Sequence, residues 1–414
     1  MKKPLFILTV IILSFAAWVT VLELISSRWI EKYGDPLDKT RHILVADRLL
    51  GWRQKKNFNG YFLGVILKTN EYGLRSDSFL KIHPAAKNIL ILGPSSTFGW
   101  AVGDNQTYSY VLQELLAKKY PDIQINVINA GQIGFSSWQG VQFYKEAVFR
   151  GLKIDVLILA YGVNDLDKFR FFYTSSKSDK DEFAIPKDAH KIYLQNFLMK
   201  FNFVNLLSRK VFGLFDKFSG FRYDPPVRRV DDSDFADNIL TLINMGKEKK
   251  SEIVLLTSVY KGLSSKGADS GTEETYRKYY GMGKKEFNNK RFLEATDYFK
   301  KAIEVEPERN DSYYYLSCCY YYLKDRQSRE EMFGKGLELE SKRIVADINK
   351  INGILVNLAK ENNLILLDLE KGIMFSKDSA MAIDPVHMSV KGHEKIAEVL
   401  SSMIYEHNLL KINQ

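Results

Sequence analysis

Cysteine is almost absent from this chain of 414 residues: there are two, Cys318 and Cys319, and they are adjacent. Neighbouring residues on a helix point about 100° apart and cannot close a disulfide without strain. That excludes a disulfide framework and a metal site built from cysteines. Zinc-ligand spacing, a helix-turn-helix pattern and an RNP-like strand are missing too, so nothing supports a nucleic-acid partner although the net charge is +9. The basic residues are spread along the chain, as on a solvated surface. The same excess would suit an anionic membrane or glycan. With 45% hydrophobic and 26% charged residues the chain has the balance of a folded protein, and its length allows more than one domain.

Charge is also missing from Leu5 to Leu22, a run broken only by Thr9, Ser14 and Thr20. At 1.5 Å per residue that run just spans a hydrocarbon core of about 30 Å, and Ile25 extends it past Glu23. The expectation is an uncleaved signal anchor over residues 1–27. A cleaved signal peptide, cut after Ser14-Phe15-Ala16, is the alternative, but it would leave a greasy new terminus. No cysteine follows the run, so lipoprotein attachment is excluded. Lys2 and Lys3 favour a cytoplasmic N-terminus, weakly opposed by Arg28 and Lys32, and would put the body of the protein outside the membrane.

Residues 28–85 read as a membrane-proximal lead-in with short strand-like pieces such as Tyr61–Lys68. From Asn88 the pattern changes. Continuous apolar runs occur at Asn88–Leu92, Ile123–Ile128, Val156–Ala160, Ile253–Leu256 and Leu364–Leu367, with helical periodicity at Tyr108–Lys119, Gln139–Phe149 and Ile344–Lys360. Such strands, alternating with helices, imply a parallel sheet covered on both faces, assigned to residues 86–262 and 343–414. Between its fourth and fifth strands, residues 263–342 are different. A Ser-, Gly- and Asp-rich stretch at 263–272 reads as a linker. Then Gly283, Phe287, Ala295, Phe299, Ala302 and Pro307 fall at tetratricopeptide spacing. A second, degenerate copy follows 34 residues on, with Tyr313, Leu316, Tyr321, Phe333 and Gly336, but Ser317 and Arg329 where the first has Gly283 and Ala295. Two helical hairpins are expected, which an ordinary helical insertion would also satisfy.

Three segments follow strands: Gly93-Pro94-Ser95-Ser96-Thr97-Phe98-Gly99-Trp100, Asn129-Ala130-Gly131-Gln132-Ile133-Gly134 and Tyr161-Gly162-Val163-Asn164-Asp165. The carboxyl ends of neighbouring parallel strands form the ligand crevice of such sheets. Near the C-terminus lies Asp384-Pro385-Val386-His387. A serine hydroxyl needs a base to become a nucleophile. His387 can be that base for Ser95, and Asp384, three residues away, can hold its other ring nitrogen. The Ser95 amide, the Gly131 amide and the Asn164 side chain are candidate oxyanion donors. Taken singly, each piece has a duller reading, as a helix cap, a turn or a chance Asp-x-x-His. The other histidines, His42, His83, His190, His393 and His407, read as surface or structural.

In this order the segments resemble the four blocks of the SGNH/GDSL hydrolase family, at Ser95, Gly131, Gly162–Asp165 and Asp384–His387. Thr97–Val102 and Tyr72-Gly73-Leu74-Arg75 resemble stretches of its membrane-anchored bacterial members. The resemblance covers about residues 86–262 and 346–405. It implies a flavodoxin-like three-layer α/β/α fold, here with an all-α insertion and an N-terminal transmembrane helix, no metal, no cofactor, and ester or acyl-transfer chemistry. Pro94 departs from the family's usual Asp; it fixes φ but leaves the Ser95 amide in place. Three functions stay open: an esterase acting on O-acyl or O-acetyl groups of an envelope glycan or lipid, an O-acyltransferase modifying an envelope polymer, and an inactive scaffold whose repeats bind a protein.

Overall fold

The structure, a computed structural model, describes residues 2–33, 43–76, 86–168, 170, 175–204, 207, 227–259, 273–373, 379–384 and 386–412. The stretch at 263–272 expected as a linker, His42, His83 and Pro385 lie outside them. The chain divides into one unit of residues 1–73 and 185–222 and a second of residues 74–184 and 223–414.

In the first unit the uncharged run forms the body of helix α1 (Lys2–Tyr33). Its stretch Phe6–Ile30 is long and apolar enough to cross a membrane, and its side chains are exposed up to its last turns, where Ser26 and Ile30 are buried. The lead-in folds as two antiparallel hairpins, β1 (Leu44–Asp47) with β2 (Gly51–Gln54) and β3 (Asn59–Phe62) with β4 (Val65–Lys68). What reads in sequence as one strand-like piece, Tyr61–Lys68, is therefore a strand, a turn and a strand. Leu63 and Gly64 form the turn with φ of 48° and 88°, the left-handed pair that a two-residue hairpin needs to match strand twist. A helix at Ala189–Leu198, capped by Asp188 on Lys191 N–H, completes the unit. Its Asn196 amide grips both the N–H and the C=O of Ala46, at 2.7 and 2.9 Å.

The second unit is built on five parallel strands, β5 (Lys87–Leu92), β6 (Ile125–Asn129), β7 (Val156–Leu159), β8 (Glu252–Leu256) and β9 (Ile365–Leu367), in the order β6-β5-β7-β8-β9. This is the doubly wound order of flavodoxin-like folds. The middles of the central strands run apolar on both faces because helices cover both. Ile89, Ile91, Val127, Val156, Ile158, Val254 and Leu256 join one core with α3 (Tyr108–Lys119) and a C-terminal helix, Val390–Glu406, which contributes Ile396, Leu400 and Ile404. The alternate residues, Leu90, Leu157, Leu159, Ile253 and Leu255, are equally buried and face the other way. On that second face lie α4 (Ser137–Tyr144) and α6 (Asp232–Glu248), which pack together.

Four further helices follow β8: α7 (Glu273–Asn288), α8 (Phe292–Val305), α9 (Asn310–Tyr322) and α10 (Arg326–Glu361), each packed on the next. Small residues sit where they cross. A Cβ on Gly283 would lie 2.7 Å from the Phe299 ring, and one on Gly336 2.8 Å from the Tyr314 ring. Cys318 and Cys319 form no disulfide and are buried in this bundle. The helix read at Ile344–Lys360 is the second half of α10, which is continuous from Arg326. No proline lies between Gly336 and Ile344, and Leu337–Arg343 are mostly good helix formers, so nothing stops the helix there. Its C-terminal half reaches the sheet layer, packing on α6 and β8.

Candidate active site

In this strand order the chain reverses direction across the sheet between β5 and β7, and the crevice at their carboxyl ends is the natural ligand site. Ser95 lies just beyond β5, in the first turn of the short helix α2 (Ser95–Phe98). Asn164 lies beyond β7, in α5 (Val163–Leu166). Gly131 follows β6.

Ser95 Oγ is 2.8 Å from His387 Nε2, and His387 Nδ1 is 2.7 Å from Asp384 Oδ2. The other carboxylate oxygen of Asp384 accepts from the backbone N–H groups of Val386 and His387, each at 2.9 Å. That turn fixes the acid against the imidazole. Burial opposes the charge on Asp384, but the His387 ring and the two backbone donors outweigh it and hold the carboxyl below its usual range. Trp100 stacks flat on the His387 ring, with centroids 4.8 Å apart and planes at 11°, which restricts the imidazole to one plane.

The serine turn is held from behind. Pro94 C=O accepts from Thr97 and Phe98 N–H, and Gly99 closes the turn with φ of 91°. The Arg75 guanidinium, buried, donates to the carbonyls of Phe98 and Gly99 and to Asp104. Asn129 donates to Thr97 C=O and Ser109 Oγ. Gly131 comes so close to this turn that a Cβ would lie 2.3 Å from Phe98 N, which only glycine permits.

The oxyanion candidates differ in their engagements. The Ser95 N–H heads a helix and has no hydrogen-bond acceptor among the described residues. The Gly131 N–H already donates to Asn129 Oδ1 at 3.0 Å. Asn164 Nδ2 donates to Phe135 C=O at 3.1 Å, which uses one of its two hydrogens. Gly162 starts this last turn with φ of 153°, and a Cβ on it would strike Ser258 Oγ. The loop from Gly131 to Phe135 is pinned beneath. Arg229 donates to Gly134 C=O, and Arg229 and Arg170 together hold the buried carboxylate of Asp179. Asp165 accepts from Ser137 N–H and Oγ; burial pushes its carboxyl up to about 6 despite those donors.

His393 does other work. Its Nδ1 accepts from Tyr108 N–H at 3.1 Å, and burial, aided by the charges of Arg75 and His387, pushes it down to about 3. It is a neutral structural histidine. Among the described residues no three His, Cys, Asp or Glu side chains gather as metal ligands would.

Two connections reach this region from the helices that follow β8. Lys168, four residues after Asn164 and buried, donates to Asp311 Oδ1 at 2.8 Å and lies over the Tyr314 ring, both on α9. On α10, the Asn352 side chain accepts from Ser258 N–H and donates to Ser258 C=O, each at 2.8 Å. Ser258 in turn lines a small pocket with Pro94, Ser96, Val163, Val386 and Met388, chain neighbours of Ser95, Asn164 and His387. Trp100, Asn129, Asn352 and Lys168 carry no motif of their own in the sequence.

No family model and no curated protein matches this chain. Solved structures that align with it include the acetyl xylan esterase AlAXEase, 15% identical over 77% of this chain and 99% of that one, with a TM-score of 0.36. A lipase/acylhydrolase from Enterococcus faecalis is 16% identical over 78% and 96%, with a TM-score of 0.33. A member of the lipolytic G-D-S-L family from Veillonella parvula DSM 2008 is 10% identical over 77% and 97%, with a TM-score of 0.35. Likeness at this level carries no activity or substrate to this chain.

Proposed function

We propose that the chain hydrolyses carboxylic esters, with Ser95 as nucleophile, His387 as general base and then general acid, and Asp384 as the group that orients and stabilises the imidazolium. The observation that carries this reading is the unbroken chain from Ser95 Oγ through both His387 nitrogens to Asp384, at the sheet's topological switch point. Nε2 takes the Ser95 proton as Oγ adds to the ester carbonyl. The oxyanion that forms has the Ser95 N–H and the spare hydrogen of Asn164 Nδ2 to receive it, with Gly131 N–H as a third donor if it shares its bond to Asn129. The imidazolium then protonates the leaving alcohol. Water, deprotonated by His387, attacks the acyl-serine and releases the acid.

Helix α1 anchors the chain in a membrane, and Lys2 and Lys3 keep its N-terminus cytoplasmic, leaving the body outside. An O-acylated envelope glycan or lipid is then the substrate class within reach, and the four packed helices offer a surface for a protein partner, as tetratricopeptide-like repeats would. The test is labelling of the full chain with a fluorophosphonate probe. Wild type should label and Ser95→Ala should not. Equal labelling of both, or of neither at any probe concentration, overturns the reading.

A further inference from the structure

The Ala189–Leu198 helix is inverted relative to an ordinary surface helix. At 100° per residue, Tyr193, Leu194, Phe197 and Leu198 form one stripe, and they are 76%, 56%, 47% and 40% exposed. No residue of this helix is buried. The opposite edge carries Asn196, whose amide grips Ala46 and so turns the apolar stripe away from the β1 hairpin. Four large apolar side chains, two of them aromatic, thus face outward from a secured helix, with Lys191 and Lys200 beside them.

What covers that stripe is indicated by where the helix ends. Just beyond it, Asn202 N–H donates to Glu23 Oε1 at 2.9 Å, Phe203 N–H donates to Glu23 Oε2 at 3.3 Å, and the Asn202 amide donates to Ser27 Oγ at 2.9 Å. Glu23 and Ser27 stand on α1 at the point where its uncharged run gives out. The stripe is therefore tied to the end of a helix whose own surface, from Phe6 to Ile25, is exposed and apolar. Aromatic side chains flanked by lysine suit the zone between lipid headgroups and acyl chains, where the ring sits at the boundary and the ammonium reaches the phosphates.

We propose that the Ala189–Leu198 helix is a second membrane contact, lying in the interface of the leaflet from which α1 emerges, with Tyr193, Leu194, Phe197 and Leu198 in the acyl boundary. This rests on the reading of α1 as a membrane span, and the test separates the two. Full-length protein is reconstituted into vesicles of phosphatidylethanolamine and phosphatidylglycerol, with single nitroxide labels at Leu194→Cys, Gln195→Cys or Phe15→Cys. The unsubstituted protein, whose Cys318 and Cys319 are buried, serves as the blank. Accessibility to oxygen relative to a water-soluble nickel chelate should be several-fold higher at 194 than at 195, and higher still at 15. If 15 is shielded from the chelate while 194 is as open to it as 195, the interfacial contact is wrong and the span stands. If 15 is itself open to the chelate, the span is wrong and the inference falls with it. Dipolar broadening between labels at 194, lost on dilution with unlabelled protein, would show that a second copy covers the stripe instead of lipid and would overturn the proposal.

Discussion

The two halves of the candidate site are built on different terms. In the acid–base half, the hydrogen bonds of Ser95 Oγ and of both His387 ring nitrogens go to other members of the triad, and the Trp100 ring closes over the imidazole. In the oxyanion half, Gly131 N–H is spent on Asn129 and Asn164 gives one hydrogen to Phe135 C=O. On the proposed reading, the proton relay is complete before substrate arrives, because its partners are each other. An oxyanion hole has no partner until the reaction makes one, so its donors are held by the scaffold meanwhile. It also ranks the donors. An amide NH₂ has a second hydrogen to offer and a backbone N–H has not, so Asn164 and the unengaged Ser95 amide should outweigh Gly131.

The comparison breaks first at the relay. Ser95→Ala and His387→Ala should each lower kcat on p-nitrophenyl acetate by a factor on the order of 10⁶, with unchanged circular dichroism; a rate near wild type in either variant removes that residue from the relay. Asn164→Ala should lower kcat by roughly 10²–10³ while KM stays put. A change in KM alone would make Asn164 a substrate-binding group and leave the oxyanion to the amides.

Asn129→Ala sharpens the ranking of Gly131. It leaves Thr97 C=O and Ser109 Oγ without their donor and should destabilise by about 1–3 kcal/mol, read by chemical denaturation. It also removes the Asn129 acceptor from Gly131 N–H, so kcat in the folded fraction should hold or rise. A fall of kcat as deep as that of Asn164→Ala would mean the Asn129 bond positions Gly131 instead of occupying it.

Asp311→Asn tests whether α9 braces the oxyanion half. Weakening its charge-assisted bond to buried Lys168 should cost about 1–2 kcal/mol and reduce kcat less than Asn164→Ala does; no change in either quantity would show the brace to be idle. The last expected effect is a slope, not a rate. His393 is pushed down to about 3 in the folded chain against about 6.5 unfolded. Its contribution is whole above pH about 6.5 and drains away as pH falls toward 3, since only the unfolded chain takes up the proton there. His393→Asn keeps an acceptor for Tyr108 N–H and should flatten that part of the stability–pH curve. An unchanged slope would assign the acid sensitivity to other groups.

Much of this was legible in sequence because it is local. Apolar runs of four to six residues announced the five parallel strands, though Ile123, Gln124, Ala160 and Leu364 lie outside theirs. Ser95, Gly131 and Asn164 were picked as candidates by residue type at strand ends, which converge in a doubly wound sheet, and Asp384 and His387 by their three-residue spacing. What escaped is carried by long-range hydrogen bonds without a spacing rule. Asn129 reaches back 32 residues to Thr97, and Lys168 reaches forward 143 to Asp311. Trp100 was visible only within a longer stretch, because nothing local tells a stacked tryptophan from a core one. The turn at Leu63-Gly64 escaped for a different reason: leucine is a poor signal for a left-handed turn.

Helix α10 has a consequence of its own. Its first half packs on α9 and its second half on α6 and β8, in one uninterrupted run of 36 residues. Such a rod keeps phase. One residue gained or lost along its middle would turn one end against the other by about 100° and move it about 1.5 Å along the axis. That would take Gly336 from the Tyr314 ring, or else Asn352 from Ser258. This segment is clocked: a change of seven residues, close to two whole turns, would bring both ends back near their partners' bearings, but displaced by about 10 Å.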